Sequence, residues 1–113
     1  MNHLMTIDIA HPPLSERDAE ALLDESLKKI RHSSSVRVMK IIHGLGALGT
    51  PGAQREIVKN WLGANRSKII SFIEGEDLSP ANANVQVLLA ECDIPPTNDF
   101  LYPNGEITIV WIT

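Results

Sequence analysis

Apolar residues along the chain alternate between a period of two and a period of nearly four, and the switches divide it into elements. In Met5 to Ile9 (MTIDI), Ile7 and Ile9 share one face and Asp8 takes the other, which predicts a strand. His11-Pro12-Pro13 ends it, because proline cannot donate to a ladder and restricts the residue before it. Beyond Ser15, Ala19, Leu22, Leu23, Leu27 and Ile30 recur at helical spacing. Ser15 stands as an N-cap with Asp18 three residues on. Glu16, Asp18 and Glu20 fill the first turns and Lys28, Lys29 and Arg31 the last, as the helix dipole favours.

Val36 to Ile42 is a nearly continuous apolar run, the pattern of a central strand covered on both faces. A glycine-rich loop follows. Thr50 and Pro51 then form an N-cap and first helical position, opening a helix that runs to Leu62 and ends at Gly63. Its buried stripe is Ile57, Val58, Trp61 and Leu62. Ile69 to Glu74 reads as a third strand. From Ser79-Pro80 to about Glu91 the spacing of Val85, Leu88, Leu89 and Cys92 fits a helix, while the valines and asparagines leave a strand open. After the proline-rich DIPPTNDFLYPNG, Ile107 to Ile112 closes as a strand with Ile107, Ile109 and Trp111 on one face. The order β-α-β-α-β-(α)-β predicts a single domain: a two-layer α/β sandwich with a small mixed sheet.

Composition agrees with one soluble globular domain: 113 residues, 43% hydrophobic and 21% charged. No apolar run is long enough to cross a bilayer, and no basic segment leads into an apolar one at the N-terminus. A lone Cys92 excludes an internal disulfide framework and fits a reducing cytoplasm, so a cytoplasmic protein without a membrane partner is expected. Charge is the informative part. All ten Lys and Arg lie between Arg17 and Lys68, whereas Ile69 to Thr113 holds seven acids and no base. A local anion-attracting face on an otherwise acidic protein is one reading; charges scattered over a solvated surface is the other.

The loop KIIHGLGALGTPG lies inside the basic stretch, and Gly44, Gly46 and Gly49 spell GxGxxG. In a dinucleotide fingerprint the helix begins within the glycines. Here Pro51 and Gly52 would interrupt such a helix, and the second half of a doubly wound domain is missing. A GxxxxGK[ST] phosphate loop is also lacking, so no nucleotide cofactor is expected. What remains is a set of backbone N–H groups beside a helix N-terminus, a phosphate-sized anion site. His43 stands at the carboxyl end of its strand, where α/β sheets place their sites. Position alone leaves open whether it serves a ligand or hydrogen-bonds its own backbone. No metal-ligand spacing occurs.

IIHGLGALG, followed by a helix ending VKNWL, resembles the strand-HGxGxG-helix signature of the Smr (small MutS-related) domain. IDIAH resembles a degenerate form of that family's LDLHG segment. The resemblance covers Thr6 to Glu74 and the last strand, with residues 76–104 as an insertion. It implies a fold similar to the C-terminal domain of bacterial translation initiation factor three. It also implies nucleic-acid binding and, in several members, endonuclease cleavage of DNA or RNA. His43, Gly44 and Gly46 match the HGxG core and Asp8 the Asp of LDLHG, but the His of that motif falls on Ala10 and its Gly on His11. Gly49 is displaced by one residue from the last glycine of the short form, and Thr50 stands where longer forms are often basic.

Strand alternation separates His11 from Asp8 and Ala10, so His11 is expected to be solvated unless the bend at Pro12 swings it back. Asp8, His11 and His43 are therefore the candidate set for metal-independent phosphodiester hydrolysis, one group activating the attacking oxygen while another stabilises phosphate charge. Arg37, Lys40, Arg55, Lys59, Arg66 and Lys68, with Gly44, Gly46 and Gly49, are the candidates for backbone contact with DNA or RNA. Trp61, Trp111 and Cys92 read as core, and Phe100 and Tyr102 as plugs for the insertion. The competing expectation is a non-catalytic interaction module, in which Ala10 marks lost chemistry and the acidic last third docks a protein.

Overall fold

The runs read as strands come together in one four-stranded mixed sheet. A computed structural model describes residues 3–45, 52–95 and 97–113. The strands are β1 (Leu4–Asp8), β2 (Val38–Ile42), β3 (Ile69–Glu74) and β4 (Ile107–Ile112), in the spatial order β1-β2-β4-β3. β1 and β2 run parallel with Asp8 beside Ile42, and β4 runs antiparallel to both its neighbours. The carboxyl ends of β1, β2 and β3 therefore share one end of the sheet.

Helices α1 (Glu16–His32) and α2 (Ala53–Ala64) cover one face. They bury Ala19, Leu23, Leu27 and Ile30, and Ile57, Val58, Trp61 and Leu62, against Ile7, Ile9, Met39, Ile41, Val110 and Ile112. Ser15 caps α1 by accepting from the Asp18 N–H at 3.1 Å, as its sequence implies. The Trp61 indole N–H donates to Asp24 Oδ1 at 2.8 Å, giving a core aromatic its polar partner.

The two-layer expectation is corrected. Helices α3 (Ala83–Glu91) and α4 (Asn98–Leu101), inside the expected insertion, cover the opposite face and make a third layer. Leu78, Val85, Leu88, Cys92, Ile94 and Phe100 pack there against Val38, Ile73, Ile107 and Ile109. The cause is in the strands. β2 and β4 offer apolar side chains to both faces, and an uncovered second face would leave them in water. Phe100 plugs this layer while Tyr102 is exposed, and Cys92 is a buried free thiol whose pKa burial pushes up.

Several boundaries also move. The segment left open between helix and strand is helical, and it starts after Asn82 rather than at Ser79-Pro80. Asn82 Oδ1 accepts from the N–H groups of Asn84 (2.8 Å) and Val85 (3.2 Å), a stronger start than proline alone. α2 has Gly52 as its N-cap and runs through Gly63 to Ala64. Thr50 and Pro51, the expected start, lie outside the described residues. Strand β2 begins at Val38, because Ser33 Oγ already takes the Val36 N–H at 3.0 Å. None of the described helices is long and apolar enough to cross a membrane.

Candidate functional site

Asp8 ends β1 by turning the chain. Its Oδ1 accepts the backbone N–H groups of Ala10 (2.8 Å) and His11 (3.1 Å), the local bonding that favours aspartate in turns. The same carboxylate receives the His11 ring: Nδ1 lies 3.0 Å from Oδ2 and 3.2 Å from Oδ1. Slight burial pushes the Asp8 pKa up, but the Ala10 N–H, the His11 ring and the His11 N–H together hold it below the ordinary carboxylate value. A carboxylate only accepts, so Nδ1 carries the proton and Nε2 is the remaining ring nitrogen. Among the described residues Nε2 has no hydrogen-bond partner. The expected solvation of His11 is thus half right. The side chain is 61% exposed, yet the turn brings it onto Asp8.

His43 is arranged in the opposite way. Its residue is 3% exposed, at the end of β2 on the α1/α2 side of the sheet. Nδ1 donates to the Gly44 carbonyl at 2.9 Å, which leaves Nε2 to accept from the Thr108 hydroxyl at 3.0 Å. Burial depresses its pKa first, and the nearby Arg55 charge adds to this, so the ring is neutral at pH 7. Both nitrogens are occupied inside the protein, and the ring ties the end of β2 to β4. The backbone repeats the tie, since His43 and Gly44 both donate to the Glu106 carbonyl (2.9 and 3.1 Å). Gly44 has φ +73°, with Ala10 Cβ 3.4 Å from where its own Cβ would stand, so glycine is needed there.

Between these two turns lies a cleft of about 310 Å³ lined by Ala10, His11, Pro13, Gly44, Gly52 and Gln54, with His43 and Glu106 also on its wall. It sits at the carboxyl ends of β1 and β2, where open α/β sheets hold ligands. The start of α2 forms one side. Gly52 offers no side-chain cap, so the first N–H groups of α2 have no capping side chain there. Gln54 Nε2 donates to the Leu14 carbonyl at 2.6 Å and anchors this turn to the β1–α1 connection. Ala10 contributes only a methyl group to the lining of this cleft. Among the described residues no group of three or more His, Cys, Asp or Glu converges.

The structure does not gather the six candidate cations here. Arg37 spends its guanidinium on carbonyl oxygens: those of Ile30, Ser33 (2.9 Å), Val36 (2.9 Å) and Thr113 (3.0 Å). Lys40 faces the third layer and pairs with Asp99 at 2.7 Å. Arg55 joins Glu76 (2.6 Å) and Glu74 (3.5 Å). Burial pushes Glu76 up, and Arg55 more than offsets it, leaving that carboxyl below its usual value. Lys59 and Arg66 line a different groove, between α2 and β3, and Arg66 and Lys68 stand at the far end of β3. Gly46 and Gly49 lie outside the described residues.

Thr108, Gln54 and Glu106 were missed from sequence. Thr108 is the polar residue inside ITIVWI, and its place on the inward face of a buried strand was a signal that it had a partner. Gln54 and Glu106 carried no such signal. Comparison of the chain with protein-family models, with curated proteins and with solved structures finds no match.

Proposed function

We propose that this chain is an Smr-like domain that holds a nucleic-acid backbone phosphate in the cleft between His11, Gly44 and the start of α2. The observation that carries the reading is the Asp8–His11 pair, 3.0 Å apart at the mouth of that cleft. The carboxylate fixes the ring so that Nε2 can take a proton from an attacking oxygen. The first N–H groups of α2 would meet the charge that develops on phosphate. In this reading His11 does the work that the resemblance assigns to the histidine replaced by Ala10, and His43 shapes the turn. The test is cleavage of labelled single- and double-stranded RNA and DNA by the wild type, His11→Ala and His43→Gln. Cleavage lost in His11→Ala and retained in folded His43→Gln supports the assignment; cleavage indifferent to His11 removes it.

A second reading, a non-catalytic protein-interaction module, is favoured by the internal engagement of Arg37, Lys40 and Arg55 and by an acidic residue, Glu106, in the cleft lining. No RNA or DNA binding at low salt would favour it over the first.

A further inference from the structure

β3 is an edge of the sheet, and among the described residues no strand pairs with its outward N–H and C=O groups. Natural edges are usually short, charged or covered. This one carries Phe72 and Ile70, 48% and 52% exposed, over a groove of about 710 Å³ lined also by Lys59 of α2 and by Arg66 of the turn before β3. Phe72 stands beside Val110, on the face that α1 and α2 cover elsewhere, and here that cover stops. The register irregularity between Ile69 and Ser71 bends the start of the edge, so Ser71 to Glu74 is the segment able to accept another strand. The charges flanking it are opposite: Arg66 and Lys68 precede β3, and Glu74 and Glu76 stand at its end.

We infer that this edge is the interface of a symmetric dimer, in which β3 of a second copy pairs antiparallel with β3 of the first. An antiparallel pair about a two-fold axis near Phe72 sets the basic start of each strand against the acidic end of the other. A parallel pair would set like against like. The same axis brings the two Phe72 side chains together over the groove, removing from water the apolar surface each copy leaves exposed. Such an interface is self-complementary, as two-fold symmetry demands, and it joins the two sheets into one of eight strands. Arg55 of the same copy is one positive charge shared by the two carboxylates Glu74 and Glu76, so the acidic end keeps a net negative charge. An acidic extended segment from another protein could use the same edge, but a second copy sets opposite charge against both the basic start and this acidic end.

Sedimentation equilibrium of the full chain tests this. A concentration-dependent dimer is expected, weakened by salt and abolished in Phe72→Lys. Lys68→Glu and Glu74→Lys should each weaken it several-fold by setting like charges together, and an equimolar mixture of the two should restore it as a heterodimer. Circular dichroism of each variant separates interface loss from unfolding, and Lys68→Glu, at an exposed position, serves if Phe72→Lys does not fold. A chain that stays monomeric at the highest attainable concentration overturns the inference and leaves the edge to a foreign strand. A dimer indifferent to Phe72 and to the charge swap overturns it equally.

Discussion

Asp8 Oδ2 and His11 Nδ1 lie 3.0 Å apart, with the Ala10 and His11 N–H groups bound to the same carboxylate. One side chain thus shapes the turn and orients the ring that turn presents. Removing the ring removes the proton acceptor, so under the proposed function His11→Ala lowers cleavage by about 10²–10⁴-fold, the range for positioned general bases. Asp8→Asn acts through His11 and should lower it less. Adding Asp8→Asn to His11→Ala should then cost little more, and additive losses measured in single-turnover assays would separate the two residues.

His43 gives a pH signature of stability. Its ring is neutral in the fold, with a pKa below the ordinary 6.5 it takes when unfolded. Below that ordinary value the unfolded chain binds the proton and the folded chain resists it. The stabilisation is therefore complete above 6.5 and is lost as pH falls from there toward the folded value. The urea midpoint should decline as pH falls below about 6.5, ahead of the carboxylates Asp8 and Glu76, whose contributions are lost only as pH falls below their ordinary 3.8 and 4.5. His43→Gln should be less stable at pH 7 and should flatten this part of the profile.

Much of the fold could be read before the structure. The alternation in MTIDI, the stripe from Ala19 to Ile30 and the Ser15 cap each arise from local periodicity, and each became the element it implied. The third layer was written in the same strings. Val36 to Ile42 and Ile107 to Ile112 carry apolar residues on both alternating sets of positions, interrupted only by Arg37, Lys40 and Thr108, which a sheet covered on one face does not need. At the site, position led to Asp8 and to the end of β2, but not to the roles of the histidines. Strand alternation sends His11 away from Asp8, and only the turn that Asp8 itself closes reverses it. The clustering of cations in sequence did not survive folding, because Arg37, Lys40 and Arg55 each met partners 59, 76 or about 20 positions away that no local rule couples to them.

Arg37 separates a structural cation from a ligand-binding one. Its guanidinium donates to carbonyls at the end of α1 and at the C-terminal residue. Arg37→Ala should cost about 1.5–3 kcal/mol, the range for hydrogen bonds to a charged group, in urea denaturation. Oligonucleotide affinity of the folded variant should be unchanged. Lost affinity at unchanged stability would return Arg37 to the binding surface.

Gly75 is fixed by crowding. A Cβ there would stand 1.7 Å from the Asn104 carbonyl oxygen and 2.6 Å from that of Ile107, both backbone atoms. Gly75 O also accepts the Asn104 and Leu78 N–H groups, so the connection cannot yield without breaking them. Gly75→Ala should destabilise by about 1–3 kcal/mol, as overpacking does. A denaturation midpoint equal to wild type would contradict this packing of the insertion on β3.

The most direct test of a phosphate held beside His11 is the salt dependence of affinity for a labelled single-stranded oligonucleotide, wild type against His11→Ala. With the remaining candidate cations dispersed, one to three phosphates should be neutralised. The slope of log affinity against log salt should then be roughly −1 to −2, and affinity should fall in His11→Ala at every salt concentration. No binding at low salt, or binding that His11→Ala leaves intact, would contradict it.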